Sequence, residues 1–181
     1  MKNEYTLLLL FAAFCCMGVQ CKEEEPDKID ELAKLPPATT KGRNTFGCLI
    51  NGKAFPYGAP GEHIKLAYYD NGEFYVSYFT RLNPSNPSIH QGINLHTNKI
   101  RSEGKYCISY KNFSEDFFTV ITTDENFFSA DKSNLDGCAN ITISKFDTIN
   151  QIISGNFRFT LNNENGNKKV IVEHGRFDFQ Y

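Results

Sequence analysis

The chain has 181 residues, 19 Lys and Arg against 21 Asp and Glu, and a formal net charge of −2. A near-neutral balance with no cluster of basic residues excludes an electrostatic footprint for nucleic acid, and the length is that of one domain. Sixteen Phe and nine Tyr, with no Trp, favour strands over helices.

The first 20 residues read as an export signal. Lys2 and the amino terminus outweigh Glu4, an apolar run extends from Leu7 to Val19, and Gly18 and Gln20 lead to Cys21. The run is too short for a membrane-crossing helix, which needs about 20 apolar residues. Cleavage before Cys21 leaves 161 residues and a lipid-modified cysteine, so the expected membrane contact is an N-terminal lipid. Cutting instead at Cys15 or Cys16 would put Met17 to Val19 beside the lipid rather than the charged Lys22, Glu23, Glu24 and Glu25.

Residues 21–43 read as a flexible acidic tether. Pro26, Pro36 and Pro37 interrupt a polar segment without apolar periodicity, and Lys22 to Glu31 carries six acids and two bases. Such a segment cannot bury enough surface to offset its ordering entropy.

From residue 44 to 181 the pattern has period two, as expected of an all-β domain, an antiparallel β-sandwich or barrel-like meander. Strands are predicted over Phe46 to Ile50 and Ala54 to Tyr57 around Asn51-Gly52, and over Ile64 to Tyr68 and Phe74 to Phe79 around Asp70-Asn71-Gly72. Others follow at Ile89 to Leu95, Lys105 to Tyr110, Phe117 to Thr123, Ala139 to Phe146, Ile152 to Leu161 and Val170 to Tyr181, the last two joined by Asn162 to Asn167. In the last strand the apolar face changes from even positions, Val170 and Val172, to odd ones, Phe177, Phe179 and Tyr181. A bulge at His174-Gly175 with Gly175 left-handed would accomplish this.

Of six cysteines, Cys15 and Cys16 leave with the signal and Cys21 carries lipid. Cys48, Cys107 and Cys138 permit three pairings. Cys48 sits in the apolar strand Phe46-Gly47-Cys48-Leu49-Ile50, where a free cysteine behaves as a small hydrophobe, which favours Cys107 with Cys138.

No metal or cofactor motif emerges. His90 and His96 share a strand face but lie six residues apart, about 20 Å, too far for one ion, and read as surface histidines. Glu173, His174 and Asp178 place carboxylates near an imidazole without a recognisable nucleophile. Arg176 and Asp178 share a face and are expected to pair with neighbours on the sheet. Aromatic residues on both faces of Phe74 to Phe79, and the pairs Phe117-Phe118 and Phe127-Phe128, leave rings for a second sheet to cover or for a glycan or protein partner to contact.

The segment Leu35-Pro36-Pro37-Ala38-Thr39-Thr40, Gly42, and Asn44-Thr45-Phe46-Gly47-Cys48-Leu49-Ile50-Asn51-Gly52-Lys53 resembles the mature start of a lipoprotein family of Bacteroidota. Ile141-Thr142-Ile143, Phe146-Asp147, Ile152-Ile153-Ser154-Gly155, Phe157, Phe159, Gly175-Arg176-Phe177-Asp178 and Tyr181 resemble its closing strands. The resemblance implies an all-β outer-membrane lipoprotein domain with no catalytic residues to carry over. Cys21-Lys22-Glu23-Glu24-Glu25 is similar to the acidic signal that directs lipoproteins of those bacteria to the cell surface. The expectation is a surface-anchored, non-enzymatic binding or interaction module. The alternatives are a carrier with a small apolar ligand inside a barrel, and a hydrolase whose site is assembled from distant strands.

Overall fold

The computed structural model describes residues 31–55, 63–81, 90–109, 116–121, 127–129, 135–162 and 167–181. Cys21 and the acidic residues Glu23, Glu24 and Glu25, together with Lys22 and the export signal, lie outside them.

Alternation of apolar and polar residues becomes eleven strands in the described residues: β1 (Thr45–Ile50), β2 (Lys53–Phe55), β3 (His63–Asp70), β4 (Glu73–Arg81), β5 (His90–Thr97), β6 (Gly104–Ile108), β7 (Asp116–Ile121), β8 (Phe127–Ser129), β9 (Ala139–Asp147), β10 (Ile152–Asn162) and β11 (Lys169–Gln180). They form two antiparallel sheets, one in the order β2-β1-β11-β10-β9-β6 and the other β3-β4-β5-β7-β8. The sheets pack face to face as a β-sandwich. Strand β8 has only three residues, too few for an alternating pattern to announce it.

Two hairpins turn where Asn-Gly pairs stand. Ile50 pairs with Lys53 across Asn51 and Gly52, at φ 50° and 78°, and Asp70 pairs with Glu73 across Asn71 and Gly72, at φ 46° and 95°. Paired left-handed residues match the twist of the flanking strands, and Asn and Gly tolerate that region best. Most of the expected turn from Asn162 to Asn167 lies outside the described residues.

Rings from both sheets close the interior. Phe46 stacks on Tyr78 at 5.3 Å, Phe74 meets Phe177 at 5.3 Å and Phe118 meets Phe159 at 5.4 Å. Fully buried Phe55, Ile93, Leu95, Ile141, Ile153, Leu161 and Phe179 fill the space around them. Burying each such side chain contributes about 1.5–3 kcal/mol relative to leaving it in water. Cys48 joins this core as a free thiol, while the sulfurs of Cys107 and Cys138 are bonded and their Cα atoms lie 5.5 Å apart. That bridge ties the edge strand β6 to the segment entering β9.

The face change in β11 occurs at a bulge, but with different stereochemistry from that expected. Glu173 and His174 stand together opposite Arg158, and His174, not Gly175, carries the positive φ, 52°. Gly175 is needed for another reason: a Cβ there would lie 2.5 Å from the ring of Phe157, which packs flat against the glycine.

The packed unit begins earlier than residue 44. Residues 31–33 form a helical turn, and the following segment to Arg43 lies as a strap over the outer face of β1 and β11 instead of continuing a tether. Glu31 Oε2 accepts the Ala54 N–H at 2.7 Å, and Leu35 is buried. Pro36 sits on Gly47, where a Cβ would be 2.6 Å from its ring. The local pattern lacks apolar periodicity because the strap is held largely by hydrogen bonds that it donates to the strand carboxylate of Asp178, with one accepted from Arg176.

Candidate functional site

Outward-facing positions on the larger sheet follow from register. Lys105 of β6, Thr142 of β9, Asn156 of β10 and Arg176 of β11 are successive cross-strand partners, so their side chains form one row. Strands about 4.8 Å apart make that row about 14 Å long, with a cation at each end and a hydroxyl and an amide between. A second row, one pleat further along, carries Asn140 and Arg158, which are register partners, and ends at the Glu173-His174 bulge. The strap supplies a wall at Ala38. Together these residues line an open groove of about 640 Å³, the size of a small-molecule site.

The groove is cationic on an otherwise anionic chain. Lys105, Arg158 and Arg176 face it with Glu173 as the acid, and His174 lies at its rim. Among the described residues the side chains of Lys105, Thr142, Asn156, Arg158, Glu173 and His174 make no hydrogen bond or ion pair, although their backbones belong to the paired strands. Asn140 donates to the Cys138 carbonyl at 3.3 Å, and Arg176 Nη1 donates to the Pro36 carbonyl at 2.9 Å. The strap therefore orients one guanidinium while the other polar groups stay available. A non-glycine residue held left-handed, as His174 is, costs about 1–3 kcal/mol, a strain that clusters at binding sites.

Asp178 fixes the strap that forms the wall. Its Oδ2 accepts the Thr39 hydroxyl at 2.5 Å and the N–H groups of Lys41 and Arg43, each at 3.1 Å. Its Oδ1 accepts the Gly42 N–H at 2.8 Å and the Ser154 hydroxyl at 2.7 Å. Burial by itself raises a carboxyl pKa, but the hydrogen bonds from Thr39, Ser154, Arg43 and Lys41 outweigh it and hold Asp178 down at about 2. Arg176 and Asp178 thus share a face, as the alternation requires, and both grip the strap.

The residues singled out for chemistry are not brought into one catalytic arrangement. Both oxygens of Asp178 are occupied by the strap and Ser154, four positions beyond His174, and His174 itself is exposed. Cys48 lies in the neighbouring strand but points into the core, where burial pushes its thiol pKa far up. His96 is buried rather than on the surface: its Nε2 lies 3.1 Å from Glu73 Oε1 and its ring 6.2 Å from that of Tyr75. The His90 side chain lies outside the described residues. Among the described residues no three His, Cys, Asp or Glu side chains gather where one metal ion could hold them.

On the outer face of the smaller sheet, Tyr68 and Leu66 are 47% and 55% exposed. Their neighbour Phe79 lies over Gly92, where a Cβ would come within 2.1 Å of the ring. Most of the other described aromatic side chains are consumed in the core. Compared with protein-family profiles, curated proteins and solved structures, the chain matches none.

Proposed function

We propose that the chain is a surface-anchored outer-membrane lipoprotein, of the Bacteroidota type it resembles, whose β-sandwich is a non-enzymatic binding module. The groove over β9, β10 and β11 is its recognition surface. The observation that carries this reading is a set of polar side chains, Lys105, Thr142, Asn156, Arg158, Glu173 and His174, that converge on a 640 Å³ concavity without partners in the described protein. Backbone rigidity under the groove supports it, because β9, β10 and β11 are paired on both sides. Preorganised polar groups on paired strands lose little entropy when a ligand arrives.

Packing of the strap sharpens the anchoring. With residues 31–43 on the domain, only residues 21–30 separate it from a lipid on Cys21, a span of at most about 35 Å fully extended. The module is then held close to the membrane. A carrier would instead need room between the sheets, and the packed rings of Phe46, Phe74, Phe157 and Phe177 occupy that space. Mass spectrometry of the mature N-terminus and protease shaving of intact cells test the proposal together. A diacylated or triacylated Cys21 and surface cleavage support it; an unmodified N-terminus or full protection contradicts it. Replacing Glu23, Glu24 and Glu25 by Ala is expected to remove surface exposure without changing folding.

A further inference from the structure

We propose that the groove binds an acidic oligosaccharide, one bearing carboxylates on hydroxyl-rich rings. This rests on the binding-module reading and adds the class of ligand. The charge pattern argues for an anion: Lys105, Arg158 and Arg176 against Glu173 leave two net positive charges in one concavity of a chain whose net charge is −2. Two of the three cations are arginines, whose planar fork matches a carboxylate bidentately.

The neutral groups argue for a saccharide. Asn140, Asn156 and Thr142 stand between the cations on adjacent strands, offering amide donors, amide acceptors and a hydroxyl to ring hydroxyls. Cations at the two ends of a row about 14 Å long suit charges repeated along an extended chain better than one compact anion. A protein segment has less to hold. Strands β9, β10 and β11 are paired on both sides, so a peptide strand could add only at the edge strand β6, at one end of the groove. The side chains facing the groove between its cations are polar and offer a peptide no aromatic or aliphatic anchor. Nucleic acid would need a larger positive surface than two net charges supply.

Calorimetric titration of the full chain in detergent tests this. The probes are oligosaccharides of galacturonate, of mannuronate with guluronate, and of glucuronate with N-acetylglucosamine, each beside its methyl ester, which keeps the hydroxyls and removes the charge. At least one acid form is expected to bind, its ester at least about tenfold more weakly, with affinity falling as salt rises. Arg158→Ala and Lys105→Ala, at exposed side chains without partners among the described residues, are each expected to weaken binding about fivefold or more with an unchanged thermal midpoint.

Failure of every acid form, esters that bind as well as acids, or an indifferent Arg158→Ala overturns the assignment. If a neutral glycan or an acidic peptide binds and Asn156→Trp abolishes it, the acidic-saccharide assignment fails while the binding module stands. If Asn156→Trp alters the binding of no probe, including those two, both fail.

Discussion

Replacing Asp178 by Asn is expected to loosen the strap and cost about 2–4 kcal/mol at neutral pH. The carboxylate accepts five hydrogen bonds, and an amide retains one acceptor oxygen. With that oxygen at the Oδ2 position, Thr39, Lys41 and Arg43 keep their acceptor while the amide nitrogen faces the Gly42 N–H. Ser154 can rotate to accept, so one N–H is orphaned at about 1–3 kcal/mol and the remaining bonds lose their charge assistance. The acid dependence follows from linkage. The folded pKa, about 2, lies below the ordinary value of 3.8, so the carboxylate's contribution is fully present above the unfolded value and is lost as pH falls through the folded one. After discounting for solvent around the strap, that contribution is about 1–2 kcal/mol. Urea denaturation at neutral pH and in steps toward about pH 2 reads both effects, because Asp178→Asn removes that residue's share of the acid slope along with the stability. It leaves the share of Asp147 and Glu31, whose carboxyls hydrogen bonds also hold low. A variant within about 0.5 kcal/mol of the wild type at neutral pH, or with the same loss in acid, would refute the reasoning.

Phe177→Ala should cost about 3–5 kcal/mol, since the ring is buried against Phe74, Phe157 and Phe179; an unchanged thermal midpoint would place it outside the core. Gly175→Ala is expected to destabilise by about 1–3 kcal/mol by driving a methyl into the Phe157 ring, measurable by the same denaturation; neutrality would mean that the ring moves freely aside. Reducing the Cys107–Cys138 bridge, which spans 31 positions, should lower stability by about 3–4 kcal/mol. Under native conditions Cys48 should resist a maleimide that labels it in urea, and prompt native labelling would contradict its burial.

Local signals carried the sandwich well. Asn51-Gly52 and Asn71-Gly72 turn where their tolerance of positive φ allows, and the face change after Val172 reports a bulge. What local pattern could not carry was pairing between distant strands. Lys105 lies beside Thr142 because β6 is the neighbour of β9, and Arg176 lies beside Asn156 because the β10–β11 bulge sets their register. The outward alternation of Asn140, Thr142, Asn156 and Arg158 was present to be read, but without register it does not distinguish a groove from a solvated face. The net charge concealed the groove too, because its positive charges are outweighed elsewhere along the chain. The strap has no local signature for a related reason: Thr39 to Arg43 have the composition of a linker, and their acceptor, Asp178, stands over 130 residues away.

Site-specific photo-crosslinking on intact cells tests the surface binding module most directly. A photoreactive residue at Asn156, in the groove, is compared with one at Ile149, which is 91% exposed on the β9–β10 turn outside it. A surface module is expected to give an adduct from position 156 that is absent from 149, and the acidic-oligosaccharide assignment adds that this adduct contains saccharide and is competed by added acidic oligosaccharide. Equal adducts from both positions, or none from 156 on cells that display the protein, would contradict it.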